Sequence, residues 1–446
     1  MTQQQNNSLR AGMMFMSMIF FIFGFITTFN ITLKDKIQDV FELSSFMAQL
    51  VNGVFFVTYF FLSFTCGSII KKIGYKNGVI AGLLLVAAGS FLFYPAASYE
   101  SYASFLVAIF VMASGVVFLQ TAANPYVAAL GSADTSSGRL NLVQALNSIA
   151  TTIAPWIASV FVFTAAAESM GAKAVQLPFV IIGVIVLLIA LGVFFVKLPV
   201  IESQEDATRK SVWKYPHVLL GALGIFCYVG AEVGIAAAII PYLALPETGA
   251  LSSALAAKYV AIYWGGAMVG RFFGSIMLSK IASSAKNYTY VLYVLIFAFI
   301  AGWFVTEYDV QSGFIFLIIG VINFLLMQLG KGKTNLTLAV FALIAAGLVT
   351  LSLLWESTWA LWAICSIGFF NSVMFPNIFA LGVDDLDKSE MSMASGIINT
   401  LIVGGAVIPV VMGAMTDSLG IRMSLILPVA CYLYIVFYAL KGSKIR

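Results

Sequence analysis

Charge is scarce in this chain. Asp, Glu, Lys and Arg make up 9% of its 446 residues, against about 25% in soluble domains. The chain therefore lacks the ionised shell that keeps a globular protein in water, and no nucleic-acid partner is expected. Histidine is nearly missing too. His217, the single one, sits beside Pro216 at the start of an apolar run, which is a boundary position rather than a catalytic or metal-binding one. Four cysteines, Cys66, Cys227, Cys365 and Cys431, stand singly among apolar neighbours, so neither a disulfide framework nor a metal site is expected, and no cofactor either. Deep inside apolar runs there is one carboxylate, Glu232, and one base, Arg271. Membrane-embedded enzymes need paired acids, a histidine-held metal or an activated nucleophile. None of these is supplied, so the chain is not expected to be an enzyme.

What remains is hydrocarbon. The chain is 61% apolar with a mean hydropathy of +1.01, the composition of an all-α polytopic membrane protein. Roughly 20 apolar residues cross about 30 Å of lipid. On that ruler about 14 spans are expected, from 12–33 to 421–441, among them 140–166, 256–280, 287–306 and 312–330. The first run has no cleavage site behind it and reads as a span, not a signal peptide. With the N-terminus inside, 17 of 23 Lys and Arg fall on the cytoplasmic side and five outside. Both termini are then cytoplasmic, in a multi-pass protein of the cytoplasmic (inner) membrane of a bacterium.

The charged stretch PVIESQEDATRKSVWKYP divides the chain into 1–198 and 217–446, with 199–216 as a cytoplasmic linker. The halves echo each other. GSII at Gly67 matches GSIM at Gly274 with an offset of 207, and NPYVAALG around Pro125 matches FPNIFALG around Pro376 with an offset of 251. The 44-residue difference is one helical hairpin, expected at about 287–330. Two six-helix halves in parallel, plus that inserted hairpin in the C-terminal half, describe a major facilitator fold, in which substrate binds between halves that rock alternately.

Polar side chains are costly in lipid and face the bundle interior, where they tie helices together or line a cavity. Several share a face: Thr27 with Asn30, Gln49 with Asn52, Gln120 with Asn124, and Asn141, Gln144 and Asn147. For any one amide, interhelical bonding and cargo binding are both open, and Asn124 and Asn141 lean toward the structural role. An amide offers donors and an acceptor together, which suits the hydroxyls of a neutral sugar. Tyr228, Tyr263 and Trp264 are candidate surfaces for the sugar's apolar faces. Glu232 has Tyr228 one turn before it, and it is a candidate to carry a proton, pair with Arg271, or bond the cargo.

These segments resemble the fucose, galactose and glucose permease family. The resemblance rests on FFIFGFITTFN, GSIIKKIGYKNG, LQTAANPYVAALG, RLNLVQALNS, YVGAEVG, GRFFGS, FNSVMFPNIFALG and LPVACYLYIVFY, and it runs over nearly the whole chain. It implies uptake of a hexose such as glucose, galactose or mannose by alternating access, with co-transported H+ or Na+, in a monomer. The alternatives are N-acetylhexosamine or fucose as cargo, or an uncoupled facilitator. Gln120 is similar to the glucose and galactose branch, since fucose permeases carry a glutamate there. Carried over by position, Asn30, Gln120, Gln144 and Asn147 are sugar-cavity residues, and Asn52 and Asn399 gain support. Two positions depart from the pattern. Ile31 stands where many members have Asp, which leaves Glu232 as the deep acid, and Lys71 stands where the wider superfamily often has an aspartate.

Overall fold

The structure, a computed structural model, describes residues 3–43, 45–161, 170–195, 212–251, 253–279, 284–305, 308–356, 359–387 and 390–445. Among these there is no strand. The helices are α1 Gln3–Val40, α2 Ser45–Ile73, α3 Tyr75–Ser98, α4 Tyr102–Ala129, α5 Ser136–Phe161, α6 Gln176–Phe195, α7 Pro216–Leu243 and α8 Ser253–Leu278. They continue as α9 Ser284–Val305, α10 Val310–Met327, α11 Thr334–Leu354, α12 Trp359–Asn371, α13 Met374–Gly382, α14 Met391–Thr400, α15 Gly404–Leu419, α16 Ile421–Ser424 and α17 Ile426–Leu440.

A helix stands at each expected span, but among the described residues twelve are long and apolar enough to cross a membrane. The expectation of about 14 spans is therefore reached in helices and not in apolarity. The other two are α5 and α8, the helices expected at 140–166 and 256–280. Polarity is the reason: α5 opens with Ser136, Ser137, Arg139, Asn141 and Gln144, and α8 carries Arg271 with four glycines after Trp264. The expected hairpin is present as α9 and α10. Asp309 starts α10 by accepting from the backbone N–H of Gln311 and Ser312 at 3.3 and 2.9 Å, satisfying donors that a helix start leaves orphaned. Helix α4 continues through Pro125 to Ala129.

The chain forms two compact units. The first comprises Met1–Gly131, Leu146–Arg209 and Asp385–Thr400. In it α3 and α4 touch backbone to backbone, since a Cβ on Gly115 would lie 2.5 Å from Val86 N and one on Gly82 2.9 Å from Gly115 O. Lipid gives no hydrophobic drive between helices, so such close approach of small residues supplies the contact energy. Helices α2 and α14 meet the same way, where a Cβ on Gly67 would sit 2.7 Å from Ser392 O. Phe93 and Phe179 stack at 3.6 Å, with Phe29 edge-on to Phe179 at 5.6 Å.

The second unit comprises Ser132–Ala145, Lys210–Asp384 and Leu401–Arg446. Gly270 and Gly368 let α8 lie against α12, and Gly404 lets α15 reach the backbone of Phe226 on α7. The hairpin is anchored to this core. Asn323 Nδ2 donates to Phe369 O at 3.1 Å, and the rings of Phe316 and Phe369 lie 5.1 Å apart.

Candidate functional site

In the first unit two neighbouring residues of α4 receive partners from different helices. Gln120 Oε1 accepts from Tyr59 Oη of α2 at 2.8 Å. Asn399 Nδ2 of α14 donates to Thr121 Oγ1 at 3.3 Å. Helix α1 is held by Asn147, whose Nδ2 donates to Phe20 O at 2.8 Å. Gly24 makes room for that amide, since any Cβ there would strike it. Gln120 and Asn147 keep 7% and 8% of their surface exposed. Asn30 differs. It is fully buried, and neither amide atom has a hydrogen-bond partner. A buried polar group in that state costs about 1–3 kcal/mol relative to a satisfied one. Asn124, one position before Pro125, is also buried with both amide atoms unpartnered. The side chain of Asn52 lies outside the described residues.

The second unit holds the other candidates. Gln144 belongs to it although Asn147, one turn later on α5, belongs to the first. Glu232 accepts from Tyr228 Oη at 2.7 Å and stands 3.9 Å from Arg271 Nη2. Arg271 also donates from Nε to Ser372 O at 3.2 Å. The ion pair is therefore at its outer limit, and the closer partner of the carboxylate is a neutral hydroxyl. Tyr263, fully buried, donates to the backbone O of Glu232 at 3.0 Å and accepts from Asn371 Nδ2 at 2.6 Å. Tyr432 Oη closes the chain on Asn371 Oδ1 at 2.7 Å. Each hydroxyl and amide in that chain is used, which stiffens a low-dielectric interior. Trp264 is edge-on to Tyr263 at 5.4 Å and is 40% exposed.

The structure thus brings Asn30, Gln120, Asn147 and Asn399 into one unit, and Gln144, Tyr228, Glu232, Tyr263, Trp264 and Arg271 into the other. Sequence reasoning missed Tyr59, Thr121 and Asn371, partners of residues it named, and Tyr432, which bonds Asn371. It also missed Asn377, which accepts from Ser137 Oγ and, at 3.2 Å, from Asn141 Nδ2. The spacing of Asn371 six residues before Asn377 within FNSVMFPN was the available signal. Lys71, noted only as a departure, bonds Glu390 Oε1 at 2.5 Å, joining the end of α2 to the start of α14 inside the first unit. No group of three or more His, Cys, Asp or Glu able to hold a metal occurs among the described residues.

Residues 14–330 match the Major Facilitator Superfamily. The chain is 38% identical over 436 residues to the glucose/galactose transporter of Brucella abortus, covering 96% of this chain and 93% of that protein. It is 29% identical over 454 residues to the L-fucose-proton symporter of Escherichia coli, covering 96% and 92%. A solved transporter of the superfamily, FucP in the outward conformation, overlays with a TM-score of 0.77 at 28% identity, covering 97% of this chain and 98% of that one. With no strand among its described residues, and with these motifs and relatives of this length, the chain belongs to the Major Facilitator Superfamily, in its fucose, galactose and glucose permease family.

Proposed function

We propose that the chain is a secondary transporter of a neutral monosaccharide, a hexose such as glucose, galactose or mannose, in the cytoplasmic membrane of a bacterium with both termini inside. The observation that supports the reading is the set of buried, uncharged amides Asn30 and Gln120, on helices long and apolar enough to cross a membrane, with Gln144 and Asn147 on α5. Donors and acceptors side by side match hydroxyls, and the absence of charge there matches a cargo that has none. The names of the two relatives support the same class of cargo. In this reading, 1–198 and 217–446 are the two halves that alternate, and sugar binds near the bilayer midplane.

The proposal assigns proton coupling to Glu232. A coupling group must gain and lose charge in the pathway, and with Ile31 and Gln120 both unable to do so, Glu232 is the remaining deep carboxylate. Tyr228 Oη donates to its carboxylate at 2.7 Å, and Arg271 at 3.9 Å is near enough to feel a change of charge there. The test is counterflow of labelled glucose, galactose and mannose into proteoliposomes, with proton and sodium gradients imposed separately. Asn147→Ala and Gln144→Ala are expected to weaken counterflow at unchanged protein level. Glu232→Gln is expected to keep counterflow and lose accumulation driven by a pH gradient. Absence of flux for every neutral sugar under either gradient refutes the transporter reading, and full pH-driven accumulation by Glu232→Gln refutes the coupling assignment.

A further inference from the structure

Helix α12 stops at Asn371 and α13 begins at Met374, so Ser372 and Val373 break an otherwise continuous apolar span. A helix end leaves its last carbonyls without intrahelical donors. Phe369 O is one of these, and two side chains satisfy it. Ser372 Oγ folds back to donate at 2.6 Å, and Asn323 Nδ2 of α10 donates at 3.1 Å. Asn323 is fully buried, so the α9–α10 hairpin reaches the break with an amide that has given up its water. Gly270 of α8 makes the approach possible, since a Cβ there would strike Ser372 Oγ and Phe369 O.

Pro376 shapes the other side of the break. The donor that would carry the helical ladder back onto Ser372 O is the N–H of position 376, and proline has none. Arg271 Nε takes that carbonyl instead, at 3.2 Å. Next to it, Asn371 Nδ2 donates to Tyr263 Oη at 2.6 Å, and Tyr263 donates to Glu232 O at 3.0 Å. Two consecutive residues at the end of α12 thus hold both members of one pair. Ser372 holds Arg271 by its guanidinium, and Asn371 holds the α7 backbone at Glu232 through Tyr263. Among the described residues, Arg271 is the cation beside the carboxylate, and Tyr228, Tyr263 and Tyr432 are the other ionisable groups that act on it. From α13 and α15, the apolar Phe375, Ile408 and Met412 pack against this part of α7.

We propose that Asn323 and Pro376 are positioning residues for Glu232 and Arg271: the hairpin amide pins the break, and the proline leaves it a carbonyl that aims the guanidinium. The inference rests on the coupling role assigned to Glu232. At 3.9 Å the pair stands at the limit of contact, so a small movement of Ser372 decides how strongly the two charges interact. Asn323 acts through Phe369 O and Ser372, and Pro376 acts through Ser372 O. The inserted hairpin then has a task in the transport cycle, which is to keep the coupling pair in register.

The test measures the ratio of pH-driven accumulation to counterflow in proteoliposomes of the full-length chain, with thermal midpoints in detergent alongside. Asn323→Leu is expected to lower that ratio by about threefold or more. Pro376→Ala gives Ser372 O a helical donor, and it should lower the ratio similarly while the thermal midpoint stays equal or rises. Phe316→Leu loosens the ring contact between hairpin and Phe369 but leaves these hydrogen bonds, so it should lower the midpoint and leave the ratio unchanged. Should Asn323→Leu fail to fold, Pro376→Ala decides alone. An unchanged ratio in Pro376→Ala, or a ratio lowered as much by Phe316→Leu as by Asn323→Leu, overturns the proposal. Glu232→Gln separates the two levels. Full pH-driven accumulation by that variant removes the coupling role and the positioning role together, whereas its loss beside unchanged ratios in Asn323→Leu and Pro376→Ala removes the positioning role alone.

Discussion

Reversing the charge at Lys71 should loosen the contact between α2 and α14. Lys71 Nζ lies 2.5 Å from Glu390 Oε1, with the lysine side chain 34% exposed and the glutamate 8%. A hydrogen bond to a charged group contributes about 1.5–3 kcal/mol when buried. With one partner a third exposed, water competes and screens, and about 1–1.5 kcal/mol is the sensible figure. Beside the pair, Gly67 and Gly396 bring the backbones together, and Ser68 Oγ donates to Met393 Sδ at 3.6 Å. Losing the pair should therefore raise the open fraction of this contact about five- to tenfold, since 1.4 kcal/mol is a factor of ten. A cysteine at Ser392, which is 2% exposed against Gly67, reports the opening. Its maleimide labelling should be five to ten times faster with Lys71→Glu than without, and should return to within about twofold in the Lys71→Glu/Glu390→Lys double variant. The unsubstituted chain is the blank, because its four cysteines are buried. Unchanged labelling in the single variant, or no recovery in the swap, refutes the reasoning.

Other outcomes follow from packing and hydrogen bonding. Gly89 faces the backbone of Met112 on α4, so Gly89→Leu should destabilise the first unit by about 1–3 kcal/mol or more, whereas Gly347→Ala on α11, with open space around it, should be neutral or gain up to about 1 kcal/mol; thermal midpoints in detergent compare them. Asn371→Leu strands the hydroxyl of Tyr432 and removes a donor from Tyr263, at a cost of about 2–4 kcal/mol, and adding Tyr432→Phe should recover about 1 kcal/mol in the same assay. At the start of α10, hydrogen bonds from Ser312 hold the exposed Asp309 carboxyl below its usual range. A lowered folded value means the cap's contribution is present above the unfolded value near 3.9 and is lost as pH falls through the folded one. Asp309→Ala should therefore lower the thermal midpoint equally at pH 7 and pH 5.

How far the sequence reached depends on the range of each interaction. Twelve of the about 14 expected spans were legible because composition alone carries them, and the helices α9 and α10 because two repeat offsets disagreed by their combined length. Gln120 and Asn147 were legible because an amide among apolar neighbours stands out at helical spacing. Their partners were not: Tyr59 is 61 residues from Gln120 and Phe20 is 127 from Asn147. Tyr432 and Asn371 escaped for the same reason, since a tyrosine in a chain with 18 of them carries no local mark. Periodicity also says which residues share a face and not which way the face turns, which is why Tyr263 and Trp264 were named alike although one is fully buried and the other 40% exposed.

On the proposed assignment of Asn30 to the sugar site, its unpartnered amide has a consequence for selectivity. Most binding groups must shed their own hydration when a ligand arrives, and that loss offsets much of what the new bond provides. Asn30 has shed it already, during folding, with nothing to replace it. A cargo hydroxyl that reaches it meets an amide with no prior attachment to give up, so the difference between a sugar and its deoxy analogue at that position should be read almost undiluted, about tenfold for each 1.4 kcal/mol regained.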